Sequence, residues 1–207
     1  MERITVTRAL AELKLLDSRI NNAIMSAKFV DGYKKKDGKT SMMKTPDEAE
    51  KGILADYQSI TDLISRRTKI KSAVLVSNAT TKVTIKGVEY SVVEAIDKKN
   101  SIVYSKNLLT KMRHQYANML TLSQNAQVSL EKQVSEMLTA NLSSASKNTK
   151  EDYDIIAKPL IEANQINLID PLNLKEKIEE LENDITGFES EVDFTLSESN
   201  AKTEIEF

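Results

Sequence analysis

Apolar residues spaced three or four positions apart predict an amphipathic first helix, because side chains at these spacings share one helix face. The helix is expected to begin near Thr5 and to end at about Lys28. The apolar positions are Val6, Leu10, Leu13, Leu16, Ile20, Ile24 and Ala27.

The next segment, FVDGYKKKDGKTSMM, combines glycines and aspartates typical of turns with clustered lysines. We therefore expect a basic loop or a short hairpin. Its cationic positions are Lys34, Lys35, Lys36 and Lys39.

Explicit start signals mark a second helix. Thr45 suits the N-cap, Pro46 the first helical position, and Glu48 completes a capping box with Thr45. The following near-heptad repeat predicts an interaction seam, and the short connection predicts an antiparallel pair with the first helix. The seam positions are Ile53, Tyr57, Ile60, Ile64, Arg67, Ile70 and Val74.

Beyond residue 80 the apolar period changes to two, which predicts a small β-hairpin. The strands are expected at Thr81–Ile85 and Val88–Tyr90, with Lys86 and Gly87 in the two-residue turn. An isolated hairpin is marginally stable in water, so it must pack on other elements or pair with a second copy.

A long third helix follows, capped by Ser91 with Glu94 as its capping-box partner. Neither glycine nor proline occurs between Val88 and Lys158, but polar residues weaken the middle of its seam. The sequence leaves open whether this helix is continuous or breaks within 121–125. The seam positions are Leu109, Met112, Tyr116, Met119, Ser123, Ala126, Leu130, Gln133 and Met137.

The last part of the chain reads as a linker, an irregular segment and an acidic helix. Residues 143–152 have linker composition, and a short helix or an extended piece should follow. Asp170 and Pro171 start the last helix, whose periodicity fades after Val192 into a tail expected to be partly β-prone and partly disordered. Its heptad positions are Leu174, Ile178, Leu181, Ile185 and Phe188.

These elements predict a mainly α fold with long antiparallel helices, heptad seams, one small β-hairpin and an acidic C-terminal helical arm. The expected divisions are a helical body at 1–142 with the hairpin at about 81–92, a linker and irregular segment at 143–170, and an acidic helix and tail at 171–207.

Charge is distributed asymmetrically along the 207 residues. Residues 1–120 carry 22 basic and 13 acidic side chains, whereas residues 121–207 carry 7 and 18. This asymmetry argues against a uniformly basic nucleic-acid binder and predicts pairing between oppositely charged parts. The basic patch Arg66–Lys71 on the second helix is expected to pair with the acidic last helix, either within one copy or between two copies.

The composition offers little to catalysis or metal binding. The chain has no cysteine and one histidine, and it lacks glycine-rich phosphate-binding motifs. His114 could act as a general base only if the fold brought it a partner, and a place on a polar helix face is the favoured interpretation. We therefore expect no enzymatic activity, no cofactor and no metal.

No apolar stretch approaches the ~20 residues that a membrane-spanning helix needs. The first residues read as a structural element and not as a signal peptide. Nucleic acid is not an expected partner, because the four lysines at 34–39 have one aromatic neighbour, Tyr33, and no arginine among them. The expected location is the cytoplasm of a bacterial host, or a virion if a phage encodes the chain.

A polar cluster near the hairpin allows a second interpretation, a module that binds an anionic small molecule such as a nucleotide. Hydroxyl and amide side chains would hold the ligand together with an arginine, although the same residues could simply shape the entry to the hairpin. The candidate ligand-binding residues are Asn78, Thr80, Thr84, Tyr90, Arg66 and Arg67.

The sequence from Val76 to Lys98 resembles the central segment of the septicolysin-like family of small bacterial proteins. The shared features are Asn78 and Thr81 leading through Gly87 into a helix that carries Ala95 followed by charged residues. Lys98, Lys99 and Asn100 replace the family's Arg-Asp pair, and residues 120–160 look like an insertion. The resemblance implies an oligomeric helical protein, similar to proteins also found in phage genomes; a cytolysin-like activity follows from the family name alone.

The leading hypothesis is a structural or interaction protein that self-associates through the helical seams and the oppositely charged halves. A contact between the basic part of one copy and the acidic part of the next would build a ring or a stack.

Overall fold

The computed structural model describes residues 2–36, 38–40, 44–141 and 153–207, and its fold is mainly α. The linker predicted at 143–152 lies outside the described residues. The elements in chain order are β1 (Arg3–Thr5), α1 (Val6–Ser26), α2 (Pro46–Thr80), β2 (Lys82–Ile85), β3 (Val88–Ser91), α3 (Val92–Asn141), a π-helical turn (Tyr153–Ala157), α4 (Lys158–Asn164), α5 (Leu174–Lys202) and β4 (Glu204–Glu206).

The predicted helix starts are confirmed by their caps. Thr5 accepts a hydrogen bond from the Arg8 backbone N–H through its side chain. At α2, the Glu48 N–H donates to Thr45 Oγ1 and the Thr45 N–H donates to Glu48 Oε2, which completes the capping box. Each bond satisfies a backbone donor that the first helical turn leaves without a partner.

The β2–β3 hairpin forms as predicted, with Val83 paired to Tyr90 and Ile85 to Val88. Lys86 and Gly87 form its turn with φ angles of 51° and 75°. Both values lie in the left-handed region that two-residue hairpin turns of type I′ require. Val83 and Ile85 are buried, so the hairpin packs one face on the fold.

The third helix is continuous: α3 runs through 121–125, where the sequence left a break open, without interruption. Propagating a helix adds one hydrogen bond for each residue fixed, and no glycine or proline opposes it here. Half-buried Ser123 and Ala126 continue the inward stripe, so small side chains take the place of large ones.

The expected end of the last helix is also wrong, because α5 continues past Val192 to Lys202. Phe188 and Val192 are both almost fully buried and lie four residues apart on one face. Their packing outweighs the weak helix propensity of the following FTLSES segment. The short β4 strand then takes the place of the expected disordered tail.

A second two-stranded sheet, absent from the sequence-based prediction, joins β1 to β4. The strands are antiparallel, with Ile4 opposite Ile205 and Arg3 opposite Glu206. Glu2 and Phe207 extend the ladder by exchanging two backbone hydrogen bonds of 3.1 and 3.2 Å. Ile4 and Ile205 are buried, which anchors both strands on the helices below.

The chain forms two compact units, Met1–Asn100 with Phe188–Phe207, and Ser101–Gly187. The sequence-based division had placed its boundaries at 142 and 170 instead. Within the first unit, α1 and α2 are antiparallel: β4 borders the end of α2, whereas Asp31 and Tyr33, which follow α1, border its beginning. The main core cluster of this unit consists of Ile4, Val6, Ala9, Leu13, Leu16, Ile20, Ile70, Val74 and Ile205.

The second unit contains two smaller apolar clusters. Residues of α3 and α5 form one of them, around buried Leu109, Ile178 and Ile185. The other joins Leu130 and Val134 of α3 to Ala157, next to α4.

Candidate interaction surface

One side of the α1–α2 pair exposes large apolar side chains. Leu10 and Ile24 of α1 lie seven residues to either side of Asp17, so all three share a helix face. Asp17 binds Arg67 of α2, which places this face beside α2. The α1–α2 face, as we call this surface, consists of Leu10, Ile24, Tyr57, Ile64 and Leu75, whose exposed fractions are 43–60%.

The α2 residues of this face belong to a stripe distinct from the one that packs on α1. Tyr57, Ile64 and Leu75 lie seven and eleven residues apart, so they share one side of the helix. Ile60, Ile70 and Val74 are buried instead, on the side turned toward α1. The seam predicted from the sequence contains residues of both the exposed stripe and the stripe that packs on α1. Its first member, Ile53, is half-buried.

Arg66 and Arg67 bind α1 and the segment before it, not the acidic last helix as expected. Arg66 donates to Glu12 at 2.6 Å, pairs with Glu2 at 2.8 Å and lies 5.4 Å from the ring centre of Phe207. Its hydrogen bonds raise the pKa of Arg66, the bond to Glu12 more than the bond to Glu2. The hydrogen bond from Arg67 lowers the pKa of Asp17. The fold brings carboxylates of α1, and not those of α5, next to these arginines. The sequence alone does not reveal this.

Tyr90 and Phe188 form an aromatic pair that holds a lysine. Their ring centres are 6.1 Å apart in an edge-on arrangement. Lys98 Nζ lies 4.9 Å from the Tyr90 ring centre and 4.7 Å from that of Phe188, within the range of cation–π attraction. Lys98 also donates to the Tyr90 hydroxyl at 2.7 Å. Phe188, predicted as an interaction-seam residue, is thus buried inside its own chain.

The six proposed ligand-binding residues do not line one site. Thr84 pairs with Glu89 and Tyr90 with Val83, so Thr84 and Tyr90 point to opposite faces of the hairpin. Thr80 donates to backbone carbonyls of its own helix. Asn78 is half-buried near the end of α2, and both arginines are engaged in the ion pairs described above.

Two open grooves accompany these contacts. A groove of about 670 Å³ lies between the end of α2 and β4, where Thr80 and Val76 line one wall and Ile205 the other. In the second unit, Leu130, Val134 and Ile161 line a groove of about 600 Å³ between α3 and α4. Neither contains an arginine or lysine beyond Lys69, so neither matches the predicted anion site.

The predicted seams of the third and last helices are occupied within the chain. Leu109, Met112 and Tyr116 of α3 pack against the α5 seam, and Arg113 forms an ion pair with Glu182 beside them. Met119 is 40% exposed at the next turn. The α5 residues in this contact are Leu174, Ile178, Leu181 and Ile185.

His114 is exposed, and the amide of Asn118, one turn further on, lies 3.3 Å from its ring. Among the residues that the structure describes, no three histidine or carboxylate side chains come together as a metal site. No described helix combines the length and apolar character needed to cross a membrane.

Comparison with known proteins adds no relative: the chain matches no protein-family model, no curated protein and no solved structure. The resemblance to the septicolysin-like family stays a prediction from the sequence.

Proposed function

We propose that this protein is a non-enzymatic structural protein that self-associates through its helices. The observation that carries the proposal is the α1–α2 face, which brings five half-exposed large apolar side chains to one side of a helix pair. Large apolar side chains grouped on one surface in this way favour an interaction site, whereas single exposed apolar residues are ordinary.

The energetic scale supports reversible association. Burying the exposed remainder of five such side chains contributes about 1 kcal/mol each, or about 10 kcal/mol for two copies of the face. Association costs about 4–15 kcal/mol in lost translational and rotational freedom. At the lower end of that cost the balance is about −6 kcal/mol, which corresponds to a dimer that forms at tens of micromolar or above.

The other two predicted seams do not carry the proposal. Residues of α3 and α5 fill each other's seams within the second unit, so the α1–α2 face of the first unit is the surface on which the proposal rests. The resemblance to the septicolysin-like family would make the protein phage-encoded, either as a component of the virion or as an accessory protein.

Sedimentation velocity over a wide concentration range, at low and at high salt, tests the proposal. We expect the sedimentation coefficient to rise with concentration under both conditions, since an apolar contact does not depend on salt for its main contribution. A monomer at every concentration and both salt levels would contradict self-association.

A further inference from the structure

Charge is strongly polarised along α2. Its first half, residues 46–63, carries five acidic side chains and one basic one, whereas residues 64–80 carry four basic side chains and no acidic one. Two copies of such a helix attract each other when they run antiparallel and repel each other when they run parallel.

The exposed stripe of α2 follows a strict heptad alternation of three and four residues. In order, its positions are Asp47, Glu50, Leu54, Tyr57, Thr61, Ile64, Thr68 and Lys71. All are at least partly exposed. The stripe is apolar in the middle, acidic at one end and basic at the other.

We propose that the protein forms a two-fold symmetric dimer in which the exposed stripes of two α2 helices pair antiparallel. This inference rests on the proposed self-association and specifies its partner, a second copy, and its geometry. The two-fold axis passes near residue 59. Leu54 then lies opposite Ile64 of the second copy, and Tyr57 opposite Thr61.

The same register matches the charged ends. Lys71 of one copy lies opposite Asp47 of the other, with Glu50 one turn away. Among the residues that the structure describes, neither Asp47 nor Lys71 forms an ion pair, although Lys71 is near enough to Asp17 of α1 for its charge to lower the pKa of that carboxyl. The paired region spans 47–71 in each helix, or about 37 Å of helix length.

Helix α1 extends this interface beyond the exposed stripe of α2. Leu10 and Ile24 flank the stripe on the α1 side, so each copy presents two helices and not one. The dimer would bury the four helices against each other as a bundle, with one patch repeated on both copies, as an isologous interface requires.

Aspartate in the middle of the stripe tests the apolar part. Ile64→Asp should weaken dimerisation about 100-fold or more, because two charges would be buried near the centre. Leu15→Asp is the matched control, since Leu15 is 49% exposed on the opposite side of α1; it should leave the dissociation constant within about threefold of the unsubstituted protein. Circular dichroism checks that both variants retain their helices.

A charge exchange tests the antiparallel alignment without touching the apolar residues. Lys71→Glu and Asp47→Lys should each weaken the dimer, because each places like charges opposite each other. Mixing the two variants one to one should restore association as a heterodimer, in which both charged contacts are again complementary. Native mass spectrometry distinguishes the heterodimer from both homodimers by mass.

The outcomes separate this inference from the proposed function. A monomeric unsubstituted protein would contradict both. If the unsubstituted protein associates but Ile64→Asp and Lys71→Glu associate equally well, the α2 pairing is wrong and self-association through another surface stands. If each charge variant weakens the dimer but the mixture does not restore it, the antiparallel alignment is wrong.

Discussion

Arg66 links three parts of the chain that are distant in sequence. Its guanidinium contacts Glu2 before β1, Glu12 in α1 and the ring of Phe207 after β4. Its planar shape allows separate N–H groups to reach two carboxylates while one face stacks on a ring. The side chain is 40% exposed, so water weakens each contact, and the combination is what stabilises the fold.

We predict that Arg66→Ala lowers the free energy of unfolding by about 1–2 kcal/mol, from two solvent-screened ion pairs and one cation–π contact. Urea unfolding followed by circular dichroism measures the loss. Arg19→Ala is the control, because Arg19 lies near Arg66 but forms no ion pair among the described residues. An equal loss in both variants would show that the network contributes nothing specific.

At the start of α3, a carboxylate makes the stability pH-dependent. The Ser91 backbone N–H and hydroxyl both donate to Glu94 Oε2, at 2.6 and 2.7 Å. Both bonds lower the pKa of Glu94 from its ordinary value of 4.5, and the bond from the backbone N–H has the larger effect. Their stabilising effect is therefore complete above pH 4.5 and is lost as the pH falls through the lower folded-state pKa.

Glu94→Gln should accordingly destabilise the protein at pH 7, and this difference should shrink as the pH falls through the lowered pKa of Glu94, because the native carboxyl is then protonated too. Chemical unfolding of both proteins over a series of falling pH values checks this. A stability difference that does not change with pH would show that the ionised carboxylate is not the stabilising form.

At the scale of elements, the hairpin turn contains a residue that its backbone disfavours. Lys86 adopts a φ of 51°, where a side chain with a Cβ atom is strained, whereas asparagine and glycine tolerate this region. The Lys86 N–H donates to Glu191 of α5 at 2.6 Å, so the backbone must keep this conformation.

We predict that Lys86→Asn raises the free energy of unfolding by about 0.5–1 kcal/mol, because asparagine suits the left-handed region. Gly87→Ala should have the opposite effect, since Gly87 has a φ of 75°. Thermal unfolding of the two variants measures both signs. Destabilisation by Lys86→Asn would mean that contacts of the lysine side chain outweigh its backbone strain.

Elements whose signals are local could be predicted from the sequence. The capping boxes at Thr45 and Ser91 and the turn at Lys86 each depend on residues within four positions of one another. The β1–β4 sheet could not be predicted in this way, because Arg3 pairs with Glu206 and three-residue strands are too short to show alternation.

The candidate surface was only partly predictable for a related reason. α2 carries two overlapping apolar stripes, and the sequence does not say which one packs on α1. Tyr57 and Ile64 were predicted as interaction residues, whereas Leu75 was not, because the predicted seam followed Ile70 and Val74 into the core.

At the scale of the whole molecule, each compact unit has its own apolar core, and the first unit is built from both ends of the chain. Ile205 of β4 is 5% exposed and belongs to the same cluster as Ile4, Ile70 and Val74. The last strand therefore contributes to the core of a unit made mostly of the first hundred residues.

We predict that Ile205→Ala lowers the free energy of unfolding by about 2–4 kcal/mol, because it leaves a cavity beneath the β1–β4 sheet. Phe194→Ala, in the same unit, is the control: Phe194 is 72% exposed, so its loss should cost about 0.5 kcal/mol or less. Hydrogen exchange should show lost protection in α1 and α2 for the Ile205 variant. Unchanged protection in α1 and α2 would mean that β4 lies on the helices without stabilising them.

The hydrogen-bonded pair formed by Glu2 and Phe207 has a further consequence. Residues that exchange both bonds of an antiparallel ladder have Cα atoms about 5.5 Å apart. A linker of a few glycines could join these two positions covalently, and the chain could then be opened at the exposed turn between β2 and β3. The permuted protein would begin with β3 and end with β2, which would place both new chain ends at the tip of the hairpin and leave the α1–α2 face unchanged.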